Sequence, residues 1–490
     1  MVDPIVIALF AVYFIITIGI GIYSARFQKS MADFYVAGRQ VGPFMVAFSA
    51  CATIASGFFF VGLPGLCYLF GYQPMLGLPV NAVLAYVIVF GLLAKPMRYL
   101  SEKYDVLTVP DLYELLYETK TIRWISSIII IFGIFGFMVS QWVAMGVMFQ
   151  TLLHSTYLTG LIVGVAVVGF YVVMGGQLGN MWVSSFQMVV MIVGAVIALI
   201  YGFGAVGGFT EMNKTLGSYK PEILLPFSSK FGLNIWTYIS FFLLYAIGTV
   251  GQPHFITRFF TIKKIDQLRW TPAISAVAYV FITLFLMTGM IYKAAELKGI
   301  VEPLKNPDMA VSQFLVKFMP VGAGGLVLAA AVAAIMSTIS AFIIVSASTL
   351  TRDLLQKGFN IHLTESQGVL YSRISTIIMC LVTVLFAIKP PDLVAWLGNA
   401  AFGFFAAGLG PAIVAGVRWR RANKYGAMAS MVIGSLTALT LYVLKVQKVY
   451  VPKLDTGAIA FLVSIAVIIV ISLITPYQKR EALPGSVKEI

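Results

Sequence analysis

The chain is 490 residues long, 60% hydrophobic and only 11% charged, with a net charge of +14. A soluble globular protein carries roughly 25% charged residues, so a water-facing surface of this size would be left uncovered, and a soluble enzyme is set aside at once. The positive charge does not point to nucleic acid, because the basic residues stand in short loops between apolar runs and not on a face with interleaved aromatics.

The apolar runs are about 20 residues long, the length that crosses a ~30 Å hydrocarbon core. Short alternating strands, the mark of a membrane β-barrel, are not visible. The composition therefore predicts an all-α polytopic membrane protein in a lipid bilayer. In chain order the spans fall near 4–25, 42–70, 76–97, 124–150, 156–176, 181–206, 233–256, 270–292, 321–350, 368–388, 392–416, 425–444 and 456–475, about thirteen in all. The first follows Asp3-Pro4 with no basic segment or small-residue cleavage site, so it reads as a retained helix. The second holds Ser49 to Gly57 and then Gly62-Leu63-Pro64-Gly65. The seventh holds Gly248-Thr249-Val250-Gly251-Gln252-Pro253-His254. Between the eighth and ninth, Met309, Val311, Phe314, Leu315 and Phe318 recur at helical spacing and predict a short amphipathic helix. Cys51, Cys67 and Cys380 lie in apolar spans without ligand or disulfide spacing, as small packing residues.

An odd number of spans puts the termini on opposite sides. With the N-terminus outside, every arginine falls in a cytoplasmic loop: Arg26, Arg39, Arg98, Arg123, Arg258, Arg269, Arg352, Arg373, Arg418, Arg420, Arg421 and Arg480. The other side receives lysines such as Lys214, Lys220, Lys298, Lys305 and Lys448. The positive-inside rule then predicts an outside N-terminus and a cytoplasmic C-terminus in the plasma (inner) membrane.

The acids map to loops or span ends, with Asp392 at an outer mouth the nearest to an exception, and His254 reads as lying near a cytoplasmic span end. His154 and His362 read as solvated loop residues. A proton relay needs a buried titrating group, so the pattern disfavours proton coupling. No haem or metal set appears, and no nucleophile–base pair, so no cofactor and no enzyme activity are expected. What remains is neutral oxygen chemistry: a small hard cation can be bound by carbonyls and hydroxyls alone, and carbonyls come free in a membrane where a helix is broken. Glycine and proline in the second and seventh spans supply such breaks. Each alone is also compatible with an ordinary membrane helix; two matched positions five spans apart favour inverted repeats, each opened by a discontinuous helix. In the ninth span Ala334, Ser337 and Thr338 share a face at i, i+3 and i+4. Their hydroxyls point either at a cation or back to carbonyls one turn earlier.

At these residues the sequence resembles the sodium:solute symporter family, on the LeuT-type five-plus-five inverted-repeat fold, over nearly the whole chain. The resemblance rests on Ala32-Asp33-Phe34-Tyr35-Val36-Ala37-Gly38-Arg39, Gly62-Leu63-Pro64-Gly65, Gly251-Gln252-Pro253-His254 with Arg258-Phe259, and Ala333 to Ser340 followed by Thr351-Arg352-Asp353-Leu354. It is nearest in flavour to the proline, pantothenate and short monocarboxylate permeases. It implies one transporter domain over 1–490, with repeats 42–206 and 233–416 and peripheral helices and tails at 1–41 and 417–490. It implies a sodium site made by the carbonyls of Ala52, Ala55 and Ala334 and the hydroxyls of Ser337 and Thr338. Ile54 and Ser184 stand where some members carry aspartates, which implies a single sodium. Tyr245 and Thr249 stand where proline permeases carry two aromatics, which weakens a proline assignment.

The expected solute site lies between the breaks, with Ser56, Gln141, Trp142, Tyr245, Thr249, Pro253, Trp396 and Asn399 as lining groups; plain packing is the alternative for each. No buried acid is available for a cationic solute, whereas a carboxylate suits a half-helix N-terminus. The function expected is sodium-coupled uptake of a small carboxylate-bearing solute by alternating access, in a chain that functions as a monomer. A proton-coupled symporter of the same fold and a non-transporting membrane sensor are the alternatives.

Overall fold

The computed structural model describes residues 3–152, 155–228, 230–389 and 394–477. His154 and Asp392 lie outside the described residues.

The chain opens with α1 (Pro4–Ala25), started by the Asp3 carboxylate accepting from the Ile5 N–H at 2.8 Å and by proline in the first turn. The second span is bent. Helix α2 (Pro43–Ile54) stops, residues 55 and 56 leave the helix, and after a π-wound turn Phe58–Gly62 the chain resumes as α3 (Leu63–Phe70), 64° away. Gly71, at φ 64°, turns the chain into α4 (Tyr72–Val89); a Cβ there would come within 2.1 Å of the Ile223 carbonyl oxygen, so only glycine fits. A short helix α5 (Val109–Tyr117) folds back before α6 (Lys120–Leu152).

Next comes α7 (Tyr157–Val206), 50 residues long, more than twice the ~20 residues a crossing needs. Its backbone breaks at Gly176 (φ 51°, ψ −150°), a conformation closed to residues with a Cβ. The two halves correspond to the two spans expected at 156–176 and 181–206. Gly175 and Gly179, one turn apart, take the Ser24 hydroxyl of α1 into the groove that their missing side chains leave, the small-residue contact by which membrane helices approach closely.

The seventh span is also bent. Helix α8 (Ile235–Phe241) rewinds as a π turn (Phe242–Ile247) and a 3-10 turn (Gly248–Gly251). Gln252 is extended, and α9 (Pro253–Thr261) leaves at 49°. Then follow α10 (Thr271–Thr283) and α11 (Met287–Leu297), which form one span across a 3-10 turn, and the amphipathic α12 (Ala310–Phe318), which buries Val311, Phe314 and Leu315 as its spacing predicts. Helix α13 (Val321–Ser348) runs on, π-wound, to Gly358. The last four helices are α14 (Glu365–Ile388), α15 (Val394–Arg418), α16 (Lys424–Val446) and α17 (Thr456–Ile474). Among the described residues ten helices are long and apolar enough to cross a membrane, and twelve if each bent pair counts as one span.

Helix α13 is the centre. From Val327 to Ser348 every residue is buried, packed by α7, α1, α6, α14 and α2. Helices α15, α16 and α17 form an outer group against α6.

Two expectations need correction. Arg98, Arg123 and Arg258 are not loop residues: they are 3%, 5% and 1% exposed. Nor are all acids at the water surface, since Asp111 and Asp353 are buried. The reason is local. Segment 104–119 folds under the bundle as α5, and α13 overruns its apolar stretch by ten residues, so what hydropathy reads as loop is a buried charged layer. Its members pair. Arg123 bonds Asp353 at 2.6 Å, Asp111 at 2.7 Å and Glu114, and Arg352 bonds Asp111 at 2.5 Å. Burial acts to raise the Asp111 carboxyl, but the Arg352 and Arg123 guanidiniums outweigh it and hold it below the ordinary carboxylate range.

Candidate sodium and solute site

The first break produces free acceptors. A helix leaves its last four carbonyls without intrahelical donors, and α2 ends at Ile54 because Ala55 adopts ψ 89°. The Cys51 carbonyl still receives the Ala55 N–H at 3.2 Å. The next two carbonyls are met from across the protein. Ser337 Oγ donates to Ala52 O at 2.7 Å and lies 2.9 Å from Ala334 O, while Thr338 Oγ1 stands 3.3 Å from Thr53 O and 3.0 Å from Ala334 O. The side chains belong to α13 and the carbonyls to α2, 285 residues away in sequence.

Ala52, Ala55, Ala334 and Ser337 are fully buried and Thr338 nearly so. The set is all neutral oxygen, at the negative end of the α2 dipole, which is the chemistry of a small hard cation and not of a transition metal. A hydroxyl that now donates its proton to a carbonyl can rotate and present its lone pairs instead, so the same oxygens serve the protein with or without an ion. Four of the five residues expected to hold sodium are thus brought together, Ala55 being the residue at which the helix opens. The Thr53 carbonyl joins them outside the expected set; its place in the same buried last turn of α2 is the signal the sequence offers.

Ile54 is half-buried at this turn. Ser184, buried in α7, lies with its hydroxyl 3.4 Å from the Asn180 side chain one turn earlier. Neither brings an acid to the site.

On the other side of the break, Gln141 Oε1 accepts the Gly57 N–H at 3.1 Å. Gly57 is wedged between α6 and α13, since a Cβ there would meet Ala144 at 2.9 Å and Ile335 at 3.1 Å. Gln141 therefore stands at the break, next to the carbonyl set, while Ser56 lies in the break itself, its carbonyl accepting the Phe59 N–H at 3.0 Å. Trp142 stands apart. Its indole N–H donates to the Thr383 hydroxyl at 2.9 Å and its ring lies against Gly164, so it faces the packing between α6, α7 and α14.

The second break spends its polar groups differently. Thr249 Oγ1 donates back to the Tyr245 carbonyl at 2.8 Å, and Gln252 Nε2 donates to the Phe402 carbonyl at 3.1 Å. The Tyr245 ring packs on Phe402, 4.8 Å between centroids. Pro253 opens α9. His254, in the first turn of α9, is buried at the break and not near a span end, with its ring 4.4 Å from Phe342. Trp396 and Asn399 lie on α15, but their side chains are outside the described residues.

Comparison with known proteins gives the family and the fold. Residues 34–434 match the model of the sodium:solute symporter family. The chain is 31% identical to a sodium/pantothenate symporter of Haemophilus influenzae over 442 residues, 88% of this chain and 90% of that one. It is 31% identical to an osmoregulated proline transporter of Bacillus subtilis over 437 residues, 87% of each. It is 28% identical to the sodium/proline symporter of Escherichia coli over 441 residues, 88% and 86% respectively. Among solved structures, a sodium-coupled sialic acid symporter in a substrate-bound outward-open state superposes with a TM-score of 0.80 over 97% of this chain and 99% of that one, at 18% identity. That likeness establishes the LeuT-like fold.

Proposed function

We propose that this chain, which belongs to the sodium:solute symporter family, takes up a small carboxylate-bearing solute together with sodium by alternating access. Family and relatives are transporters, so the protein is a sodium-coupled transporter and not an enzyme. The observation that carries the ion site is the meeting of Ser337 and Thr338 with the carbonyls of Ala52, Thr53 and Ala334 at a broken helix. The ligand set is Ala52, Ala55, Ala334, Ser337 and Thr338, for one sodium.

The solute lies beside it, against Ser56, Gln141 and the second break at Tyr245, Thr249 and Pro253. A carboxylate is favoured because Gly57 presents an N–H at the positive end of a half-helix, now met by an amide oxygen that a carboxylate can replace. A named relative carries pantothenate and two others proline, and both solutes bear a carboxylate. The two bent spans, five apart in the bundle, support repeats over 42–206 and 233–416. Sodium entry across a potential supplies ~2.3 kcal/mol per 100 mV for one charge, and the coupling appears as differential affinity between the two orientations.

The proton-coupled alternative gains a buried acid in Asp353. That carboxylate is held by Arg123 and the Thr108 hydroxyl in the charged layer, and serves an ion pair there. The N-terminus is outside in this reading. An impermeant thiol reagent should label Lys448→Cys and spare Arg420→Cys in intact cells, and the reverse would overturn the orientation.

The function is tested by uptake into proteoliposomes of labelled proline, pantothenate, pyruvate and acetate, with an inward sodium gradient and with choline in its place. Sodium-dependent uptake of one of these is expected. Uptake that ignores sodium and follows a proton gradient would refute the reading.

A further inference from the structure

Arg258 does something the sodium and solute sites above do not require. It sits in α9, five residues past the second break's proline, about 8 Å along the helix toward the arginine-rich end. It is 1% exposed, and among the described residues no acid lies within ion-pair distance of it. Its Nε meets Ser49 Oγ at 3.1 Å, its Nη1 donates to the His254 carbonyl, and its Nη2 has no partner. A guanidinium stays protonated under all ordinary conditions. A fully buried, uncompensated one is costly unless something negative answers it in part of the working cycle.

The neighbours say what that something is. The Tyr86 hydroxyl, also fully buried and also without a partner, lies beside the Cys51 thiol, and its ring packs on Phe255, one turn before Arg258 on α9. Tyr86 packs on Phe255 and Tyr279, at 5.9 and 5.8 Å between centroids, and Phe90 closes the same wall against Phe255 and Phe259. A guanidinium and a phenol are donors to an incoming acceptor, and the guanidinium prefers a planar anion that takes two hydrogen bonds. Cys51 is one residue before Ala52, and Ser49 three before it, on the half-helix that offers its carbonyls to sodium. The cation and the guanidinium therefore share α2.

We propose that Arg258 with Tyr86 forms an anion site on the release side of the second break, which takes the solute's carboxylate as the arginine-rich end opens. The proposal rests on the carboxylate reading above. It supplies a coupling term as well. An unanswered guanidinium on the α2 side of the break opposes sodium, and a carboxylate that neutralises it raises sodium affinity. By linkage, sodium then raises carboxylate affinity equally.

The test is sodium-dependent binding to the purified full-length protein of matched pairs: proline and prolinamide, pantothenate and pantothenol, pyruvate and pyruvamide. Wild type is compared with Arg258→Gln, Arg258→Lys and Tyr86→Phe, in chloride and in gluconate. Wild type is expected to prefer its carboxylate by about 100-fold, Arg258→Gln to cut that preference about 10-fold, leaving the part that the Gly57 N–H supplies, and Tyr86→Phe to cut it about 3-fold. Arg258→Lys should keep much of it. In Arg258→Gln, sodium affinity should no longer respond to the carboxylate. If Arg258→Gln does not fold, the near-isosteric Tyr86→Phe reads the same site, and an unchanged preference there overturns the proposal. A wild type without carboxylate preference sinks the carboxylate reading and this site with it. A wild-type preference that survives undiminished in Arg258→Gln sinks this site alone. Sodium affinity that follows chloride, and loses only that response in Arg258→Gln, would show an inorganic anion and overturn the assignment to the solute.

Discussion

The two bent spans answer one problem in opposite ways. Both must give up helical hydrogen bonds inside a membrane, where each unmet backbone group is costly. The first break stops abruptly: Ala55 leaves the helix, and the stranded carbonyls of Ala52 and Thr53 are met by Ser337 and Thr338 of α13. The second rewinds through π and 3-10 turns, and its own side chains close the gaps, Thr249 onto Tyr245 and Gln252 onto Phe402. The first break thus exports acceptors to a distant part of the chain, where we propose the ion site. The second keeps its bonding local and makes a shaped wall and a bend.

That contrast can be broken at several points. The largest effect belongs to the first break. Loss of both hydroxyls in Ser337→Ala/Thr338→Ala should weaken sodium activation of uptake at least about 100-fold, since even outer-shell losses at metal sites cost 10–100-fold. Next is Gly251→Ala in the second break. Its Cβ would come within 2.4 Å of the Phe405 carbonyl and 2.9 Å of Gly410 N, both backbone of α15. Overpacking of this kind costs about 1–3 kcal/mol. The variant should melt at a lower temperature in detergent yet still be raised by sodium; a lost sodium response would mean that the second break also shapes the ion site. Third, Gln141→Ala leaves the buried Gly57 N–H without its acceptor, at about 1–3 kcal/mol. We expect about a 10-fold higher KM for solute with sodium affinity nearly unchanged, and equal losses in both would erase the division between the two sides of the break. The smallest effect is Thr249→Ala. Its hydroxyl is engaged by its own helix, so Thr249 lines the solute site by shape alone and uptake should stay within about 3-fold of wild type; a larger loss would make that hydroxyl a polar contact to the solute.

Much of this was legible in the sequence, for physical reasons that differ by element. Spans follow from hydrophobic length, and the breaks from glycine and proline at matched places. That Ala334, Ser337 and Thr338 share one face follows from their three- and four-residue spacing along one helix. The rest depended on direction or on distance along the chain. Neighbours on a helix point about 100° apart, so sequence cannot say that Gln141 faces the break while Trp142 faces Thr383. The charged layer looks like loops in the sequence because its partners, Arg123 with Asp353 and Arg352 with Asp111, are 230 and 241 residues apart. Arg258 looks like a loop residue because it follows the apolar run of the seventh span, although α9 carries it on beneath Ser49.

The most direct test of the central claim is a sodium titration of solute uptake in proteoliposomes, run side by side on wild type, Ser337→Ala/Thr338→Ala and Thr249→Ala. The account predicts that the double variant needs far more sodium while Thr249→Ala follows the wild-type curve. Equal sodium dependence in the double variant and the wild type would contradict it, and would place the ion somewhere other than the crossing of α2 and α13.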